Sequence, residues 1–201
     1  MDANREPGVN SCQKSTKAKP NKACKDAYNE YHGFIKQFKN GLKNSKYIQG
    51  LLIDIHGQAH IENYTELGYT VSKQKLQQNL ADNINTSISA IKKLHPSITT
   101  NDLIKGKFSL GNEIQQVVMG DSRWKPFPSP KHPRLIPSSA KYFSGGYTIQ
   151  SYGSGNLNAI QIEFPLFLRQ DHNKTAEKMS YAILNFYQKN NLGKKKRLMK
   201  F

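Results

Sequence analysis

Acidic residues, cysteines and long apolar runs are all scarce in this chain. It has 14 Asp and Glu against 30 Lys and Arg, so its formal net charge is +16. Every apolar run is shorter than the roughly 18 to 20 residues that a membrane helix needs. The opening residues MDANREPGVNS also lack the basic and apolar segments of a signal peptide. We therefore expect no membrane span.

The two cysteines, Cys12 and Cys24, lie in polar surroundings. They could close a short disulfide loop in an oxidising compartment, or remain free thiols in a reducing one. Localisation therefore stays open. We expect an extracellular protein if a signal peptide lies upstream and the cysteines are bridged, and a cytoplasmic protein otherwise.

The excess of positive charge is spread along the chain. The one compact basic run is KKKR at residues 194–197. Basic and aromatic residues do not alternate as they do in RNA-binding segments, and no zinc-finger spacing occurs. The lysines therefore indicate a solvated surface, and we expect no specific nucleic-acid partner.

The chain length suits one domain with its own hydrophobic core. We expect residues 1–190 to form a single α/β domain that begins with an irregular segment, residues 1–24. Residues 191–201 then form a basic tail. Helical and strand-like segments alternate along the chain, which predicts a mixed, largely parallel sheet flanked by helices.

Apolar periodicity predicts the individual elements. Helices are expected at residues 25–41, at 73–94, once or twice within 102–119, and at 173–190, the last with Asn173 or Thr175 as its cap. Strands are expected at residues 47–57, with both faces buried, at 68–71, and in the segments GGYTIQSYG and NAIQIEFPLFL.

Two polar residues stand at the ends of predicted strands, where open α/β sheets place their functional crevice. His56 ends the strand LLIDIH, and Glu163 lies at or near the end of AIQIE. A neutral imidazole can bind zinc while Asp54 fixes its tautomer, and Gly57 allows a sharp turn after it. A glutamate in an apolar strand is costly to bury unpaired, so Glu163 needs a partner or a chemical role such as activating a metal-bound water.

Each of these residues also has a purely structural interpretation. His56 could be a hydrogen-bonded structural histidine, and Glu163 could pair with a lysine. His60 could bind a metal, hydrogen-bond its own loop or orient a substrate. On composition alone, Asn4 and Arg5 would pass as part of a polar terminus.

Several motifs in order resemble one family more than any single motif does. They are MDANRE, YHGFI, GLLIDIHGQAH, ELGY, GGYTIQSYG and NAIQIEFP. The series resembles the N-formylglutamate amidohydrolases, especially their animal members. The resemblance implies a zinc-carboxypeptidase-like fold related to aspartoacylase, and zinc-dependent hydrolysis of an N-acyl amide next to a carboxylate.

The resemblance also implies a role for each matching residue. Asn4 and Arg5 match the pair that grips the substrate carboxylate, a task that suits a planar guanidinium. His56 matches the last protein ligand of Zn²⁺, and Glu163 matches the general base and acid. Tyr147 would lie in the substrate wall. The partner would be a small N-acyl amino acid or a peptide C-terminus.

The chain departs from the family pattern at its beginning. In the family, two further zinc ligands precede the Asn-Arg pair, which here stands at residues 4 and 5. We therefore expect an N-terminally truncated chain that lacks the first strands of the fold, two zinc ligands and, with them, full activity. The alternatives are a metal site rebuilt with His60, or a non-catalytic relative acting as an interaction or structural protein.

Overall fold

The computed structural model describes residues 22–44 and 49–192. Asn4, Arg5, Cys12 and most of the predicted basic tail lie outside these residues. The strands are β1 (Gly50–Gly57), β2 (Thr65–Gly68), β3 (Pro126–Phe127) and β4 (Leu157–Phe164). The helices are α1 (Lys22–Asn44), α2 (Lys73–Leu76), α3 (Ser89–Leu94), α4 (Thr100–Ile104), α5 (Leu110–Val118), α6 (Tyr147–Tyr152), α7 (Leu166–Gln170) and α8 (His172–Lys189).

The four strands form one mixed sheet in the order β1-β4-β2-β3. β4 pairs in parallel with β1 and antiparallel with β2, while β3 continues in parallel beyond β2. Helices flank this sheet, so the predicted α/β class with a mixed sheet is confirmed. None of the helices in the described part of the chain has the length and hydropathy needed to cross a bilayer.

β4 is the central strand, and all eight of its residues are buried. Successive side chains of a strand point to opposite faces, so Ile160 and Ile162 share one face while Gln161 and Glu163 share the other. Both isoleucines belong to the main core, which also contains Ile114 of α5 and Phe186 of α8. Burying each one contributes about 1.5 to 3 kcal/mol to folding.

The polar face of β4 is covered at its beginning by helices α1 and α6. Ile35 and Leu42 of α1 pack with Tyr152 and with Leu157, the first residue of β4. The apolar residues of α1 recur at helical spacing, so this helix was predictable, although it continues to Asn44, beyond its predicted end near Gly41. α1 therefore covers the start of β4 and leaves Glu163 nearer to the uncovered end.

The prediction that both faces of β1 are buried is wrong. Among the described residues β1 pairs with β4 alone, so it is an edge strand, and Ile55 is 64% exposed. A short apolar run predicts a strand, but the number of its neighbours depends on residues far away in sequence.

The segment GGYTIQSYG is not a strand. It forms helix α6, in which Thr148, Ile149 and Tyr152 are buried. Thr148 and Ile149 precede Tyr152 by four and three residues, the spacings that place side chains on the same side of a helix. The β-branched and aromatic residues of this segment favour a strand locally, but packing against α1 and β4 favours the helix.

Residues 73–94 do not form the single helix predicted from their periodicity. Only α2 and α3 are helical there, and short polar side chains bond to the backbone between them. Thr86 Oγ1 accepts a hydrogen bond from the Ile88 amide at 3.3 Å, and Ser89 Oγ donates to the carbonyl of Thr86. Such side-chain bonds compete with helix formation.

Other predicted elements hold with shifted bounds. The short strand expected at residues 68–71 lies at β2, and the helices expected within 102–119 are α4 and α5. The C-terminal helix is confirmed as α8, but neither Asn173 nor Thr175 caps it. Thr175 lies inside the helix and donates its hydroxyl to the carbonyl of Leu168.

Candidate functional site

Three titratable residues form a row across the sheet near the end of β4. The parallel register places His56 of β1 beside Glu163, and the antiparallel register places Glu66 of β2 on the other side of Glu163. Directly paired residues of neighbouring strands point to the same face of the sheet. Histidine and two carboxylates therefore share one face, at the end of the parallel pair where α/β proteins usually bind ligands.

Glu163 occupies the middle of this row and is 5% exposed. Gln161, two residues earlier on the same face, donates a hydrogen bond from Nε2 to Glu163 Oε1 at 2.8 Å. Burial raises the pKa of Glu163 to about 7, the charge of His56 opposes the rise, and the charge of Glu66 adds to it. A carboxyl group with this pKa can both accept and release a proton near neutral pH.

Gln161 connects Glu163 to the segment that precedes α6. Its Oε1 accepts a hydrogen bond from the amide of Gly146. The backbone of that segment crosses close to β2, because a Cβ on Gly68 would lie 2.6 Å from the amide nitrogen of Gly145. Glycine at position 68 therefore allows the segment to approach β2, which brings the Gly146 amide within hydrogen-bond distance of Gln161.

The His56 ring is backed by a carboxylate of its own strand. His56 Nε2 lies 3.1 Å from Asp54 Oδ2, and the imidazole side chain is 46% exposed. The hydrogen bond that His56 donates to Asp54 raises the pKa of His56. Asp54 also shares a hydrogen bond with the hydroxyl of Tyr31 in α1. An imidazole held by a carboxylate through one nitrogen is the arrangement that metal-binding histidines commonly have.

His60 and Glu66 form a second histidine–carboxylate pair. His60 Nδ1 lies 2.6 Å from Glu66 Oε1, and Glu66 Oε2 accepts a hydrogen bond from the Phe143 amide at 2.7 Å. The His60 ring stacks on the Phe143 ring with 4.8 Å between centroids. Burial raises the pKa of Glu66, and its bonds to Phe143 and His60 oppose that rise.

Glu66 is a site residue that the sequence analysis missed. It is fully buried within TELG, a strand whose four residues are all buried. The reasoning applied to Glu163, that a glutamate in a buried strand needs a partner or a role, applies equally to Glu66. The signal was present in ELGY, but β2 is short and was predicted three residues too late.

Tyr147 lies at the beginning of α6, in an aromatic cluster with α1. Its hydroxyl accepts a hydrogen bond from Tyr28 at 3.4 Å, and its ring meets His32 edge-on at 5.5 Å. His32 Nδ1 is in turn 2.9 Å from the Tyr152 hydroxyl. These contacts join α6 to α1, so the position of Tyr147 depends on α1 as well as on the segment before it.

Gly57, predicted to allow a turn after His56, is required by a close contact. A Cβ at this position would lie 2.7 Å from Arg169. The guanidinium of Arg169 donates to the carbonyl of Gln58 at 3.2 Å. The end of β1 is thus held against α7, on the face opposite His56.

A catalytic zinc ion needs about three protein ligands close together. Within residues 22–44 and 49–192, no three His, Cys, Asp or Glu side chains are grouped so as to hold a metal ion. His56 has the chemistry of a ligand because Asp54 bonds one ring nitrogen and leaves the other for a metal. Zinc binding by His56 stays a prediction, and so does the alternative in which His60 is a ligand.

Comparisons with known proteins do not assign this chain to a family. No protein-family model, no curated protein and no solved structure matches it.

Proposed function

We propose that this chain is a zinc-dependent amidohydrolase of the N-formylglutamate amidohydrolase type. It would cleave an N-acyl amide next to a carboxylate, on a zinc-carboxypeptidase-like fold. The observation that carries the proposal is the position of Glu163, a buried carboxylate held by Gln161 in direct register with His56. The ordered series of motifs that includes DIHG and QIE supports the same conclusion.

Glu163 is the group that handles protons in the proposed reaction. It accepts a proton from the attacking water as the water oxygen bonds to the acyl carbon. It then delivers that proton to the amine nitrogen as the carbon–nitrogen bond breaks, giving a carboxylic acid and an amine. Gln161 holds Oε1 of Glu163, so the carboxylate keeps one orientation through both steps.

The remaining site residues bind and orient. Asp54 would orient His56 as a ligand, and a zinc ion held there would supply a bound water that is more acidic than free water. Asn4 and Arg5 are the proposed grip on the substrate carboxylate, and Tyr147 is the proposed wall. Asn4 and Arg5 lie outside the described residues.

The decisive experiment compares two buried glutamates. Purified protein is incubated with N-formyl-L-glutamate and a panel of N-acyl amino acids, and release of free amine is measured. We expect Glu163→Gln to reduce kcat by at least about a hundredfold because the proton acceptor is lost. Glu113→Gln is the matched control, since Glu113 is also buried and pairs with Lys189 at 2.7 Å in α5, outside the row of Glu163.

Metal analysis gives a second, independent result. Zinc that copurifies with the protein and with Glu163→Gln, and is lost from His56→Ala, would support the proposal. If wild-type protein neither binds zinc nor releases amine from any member of the panel, the enzyme proposal fails. The chain is then a non-catalytic relative of the fold.

A further inference from the structure

The His60–Glu66 pair has a geometry that a merely structural ion pair does not need. Glu66 uses both carboxylate oxygens, one for His60 Nδ1 at 2.6 Å and one for the Phe143 amide at 2.7 Å. The His60 side chain is only 12% exposed, and its ring is held flat against Phe143. The ring therefore has a fixed position and a fixed orientation.

The contacts of Glu66 favour one tautomer of His60. The Phe143 amide can only donate, so it favours the ionised carboxylate of Glu66, and an ionised carboxylate accepts from His60 with the hydrogen on Nδ1. In the neutral ring this leaves a lone pair on Nε2. Within the described residues Nε2 has no hydrogen-bond partner and is not among the fully buried unpartnered atoms, so it is an acceptor that a ligand can reach beside the row of His56 and Glu163.

The neighbouring backbone keeps His60 beside that row. The His60 amide donates to Oε1 of Gln58, and Gln58 is bonded through its own side chain to the carbonyl of Tyr64 at 2.6 Å. The Gln58 amide donates to the carbonyl of Phe164, the residue after Glu163, at 2.9 Å. The loop that carries His60 is thus anchored to the end of β4.

We propose that His60 accepts a hydrogen bond through Nε2 from the amide N–H of the substrate, and that Glu66 is the residue that positions it. This inference rests on the proposed function and names one contact that its secondary-amide substrate would make. A tertiary amide has no N–H, so it would leave this acceptor without a partner in the complex.

The kinetic test uses a pair of substrates and a pair of histidine replacements. N-formyl-L-glutamate is compared with N-formyl-N-methyl-L-glutamate, which lacks the N–H. We expect wild type to prefer the secondary amide by about tenfold or more in kcat/KM, the effect of losing about one buried hydrogen bond. His60→Gln keeps an acceptor near the Nε2 position, whereas His60→Asn keeps only a donor near the Nδ1 position.

The preference for the secondary amide should therefore survive in His60→Gln and disappear in His60→Asn and Glu66→Gln. Glu113→Gln should retain it, since the pair of Glu113 and Lys189 lies in α5 and α8. A preference that persists in both His60→Asn and Glu66→Gln would overturn the proposal, as would a wild type that hydrolyses both amides equally well.

A spectroscopic measurement separates this inference from the proposed function. Nitrogen-15 spectra of the histidine side chains at pH 7.5 should show His60 protonated on Nδ1 and bare on Nε2. That tautomer should be lost in Glu66→Gln. A wild-type ring protonated on Nε2 overturns the inference whether or not the protein is active. A second outcome also overturns the substrate contact. The ring has the expected tautomer, but the protein hydrolyses neither amide and the Nε2 signal does not shift when N-formyl-L-glutamate is added. Glu66 is then a purely structural partner of His60.

Discussion

β1 and β4 lie side by side for eight residues and have similar sequences, GLLIDIHG and LNAIQIEF, yet their environments differ. β4 has a neighbour on each side and every residue is buried, whereas β1 is an edge strand within residues 22–44 and 49–192, and its last three residues are exposed. Both strands place polar residues in the same two rows, Asp54 beside Gln161 and His56 beside Glu163.

The difference shows what each strand contributes to the site. On β4 the polar side chains are buried and bonded within the protein, and burial raises the pKa of Glu163. On β1 the His56 ring is half-exposed and open to a ligand. A buried carboxyl group next to an accessible imidazole therefore follows from joining a strand with two neighbours to an edge strand.

The largest expected difference between the strands concerns their apolar faces. Ile162 is fully buried and Ile55 is 64% exposed. We expect Ile162→Ala to lower the free energy of unfolding by about 2 to 5 kcal/mol because it removes buried contacts and leaves a cavity. Ile55→Ala should change it by less than about 0.5 kcal/mol. Urea unfolding measures both, and equal losses would show that something covers β1 in solution.

The next effect concerns a buried amide on β4. Asn158 accepts from the Ile91 amide at 3.1 Å and donates to Gln49 Oε1 at 2.9 Å. Asn158→Ala removes the donor to Gln49 Oε1 and one of two acceptors of the Ile91 amide, which also donates to the Ile88 carbonyl at 3.0 Å. We therefore expect the free energy of unfolding to fall by about 1 to 3 kcal/mol. If urea unfolding finds a change below about 0.5 kcal/mol, water replaces these hydrogen bonds in the variant, and the start of β4 is accessible to solvent.

The pH dependence of stability should separate Glu163 from His56. The pKa of Glu163 is raised to about 7 in the folded chain, from an ordinary value of 4.5. Below about pH 4.5 Glu163 is protonated in the folded and the unfolded chain, so there is no penalty for burying its charge. As the pH rises toward 7, wild type loses stability relative to Glu163→Gln. Urea midpoints of both proteins at pH 4, 5.5 and 7.5 measure this. A constant difference between them would contradict the raised pKa.

The smallest expected effect on stability belongs to the pair on β1. Asp54→Asn replaces the charged acceptor with a neutral amide, which removes the charge that raises the pKa of His56 and weakens the hydrogen bond, so that pKa should fall. The pair stabilises the fold at pH values below the ordinary histidine pKa, and this contribution disappears as the pH rises through the raised value. Because the ring is half-exposed, we expect a change below about 0.5 kcal/mol. NMR titration of His56 tests the shift, with Asp82→Asn as a surface control.

Part of this organisation was predictable from residues close together in sequence. The apolar spacing in α1 and α8 indicated helices, and the runs LLIDIH and AIQIE indicated strands that end near His56 and Glu163. The roles of Asn4, Arg5 and Tyr147 stay predictions. The same local reasoning failed for GGYTIQSYG, whose strand-like composition is outweighed by the packing of Ile149 and Tyr152 against other elements.

By itself the sequence determined where the strands and long helices lie and which polar residues stand at their ends, because apolar periodicity records local burial. Only the tertiary structure decided that β4 is central and β1 is at the edge. It also decided that β2 pairs antiparallel with β4, which brings Glu66 beside Glu163 and His60 onto Glu66. Strand order and register depend on contacts between residues about 100 positions apart in the chain, and no local pattern records them.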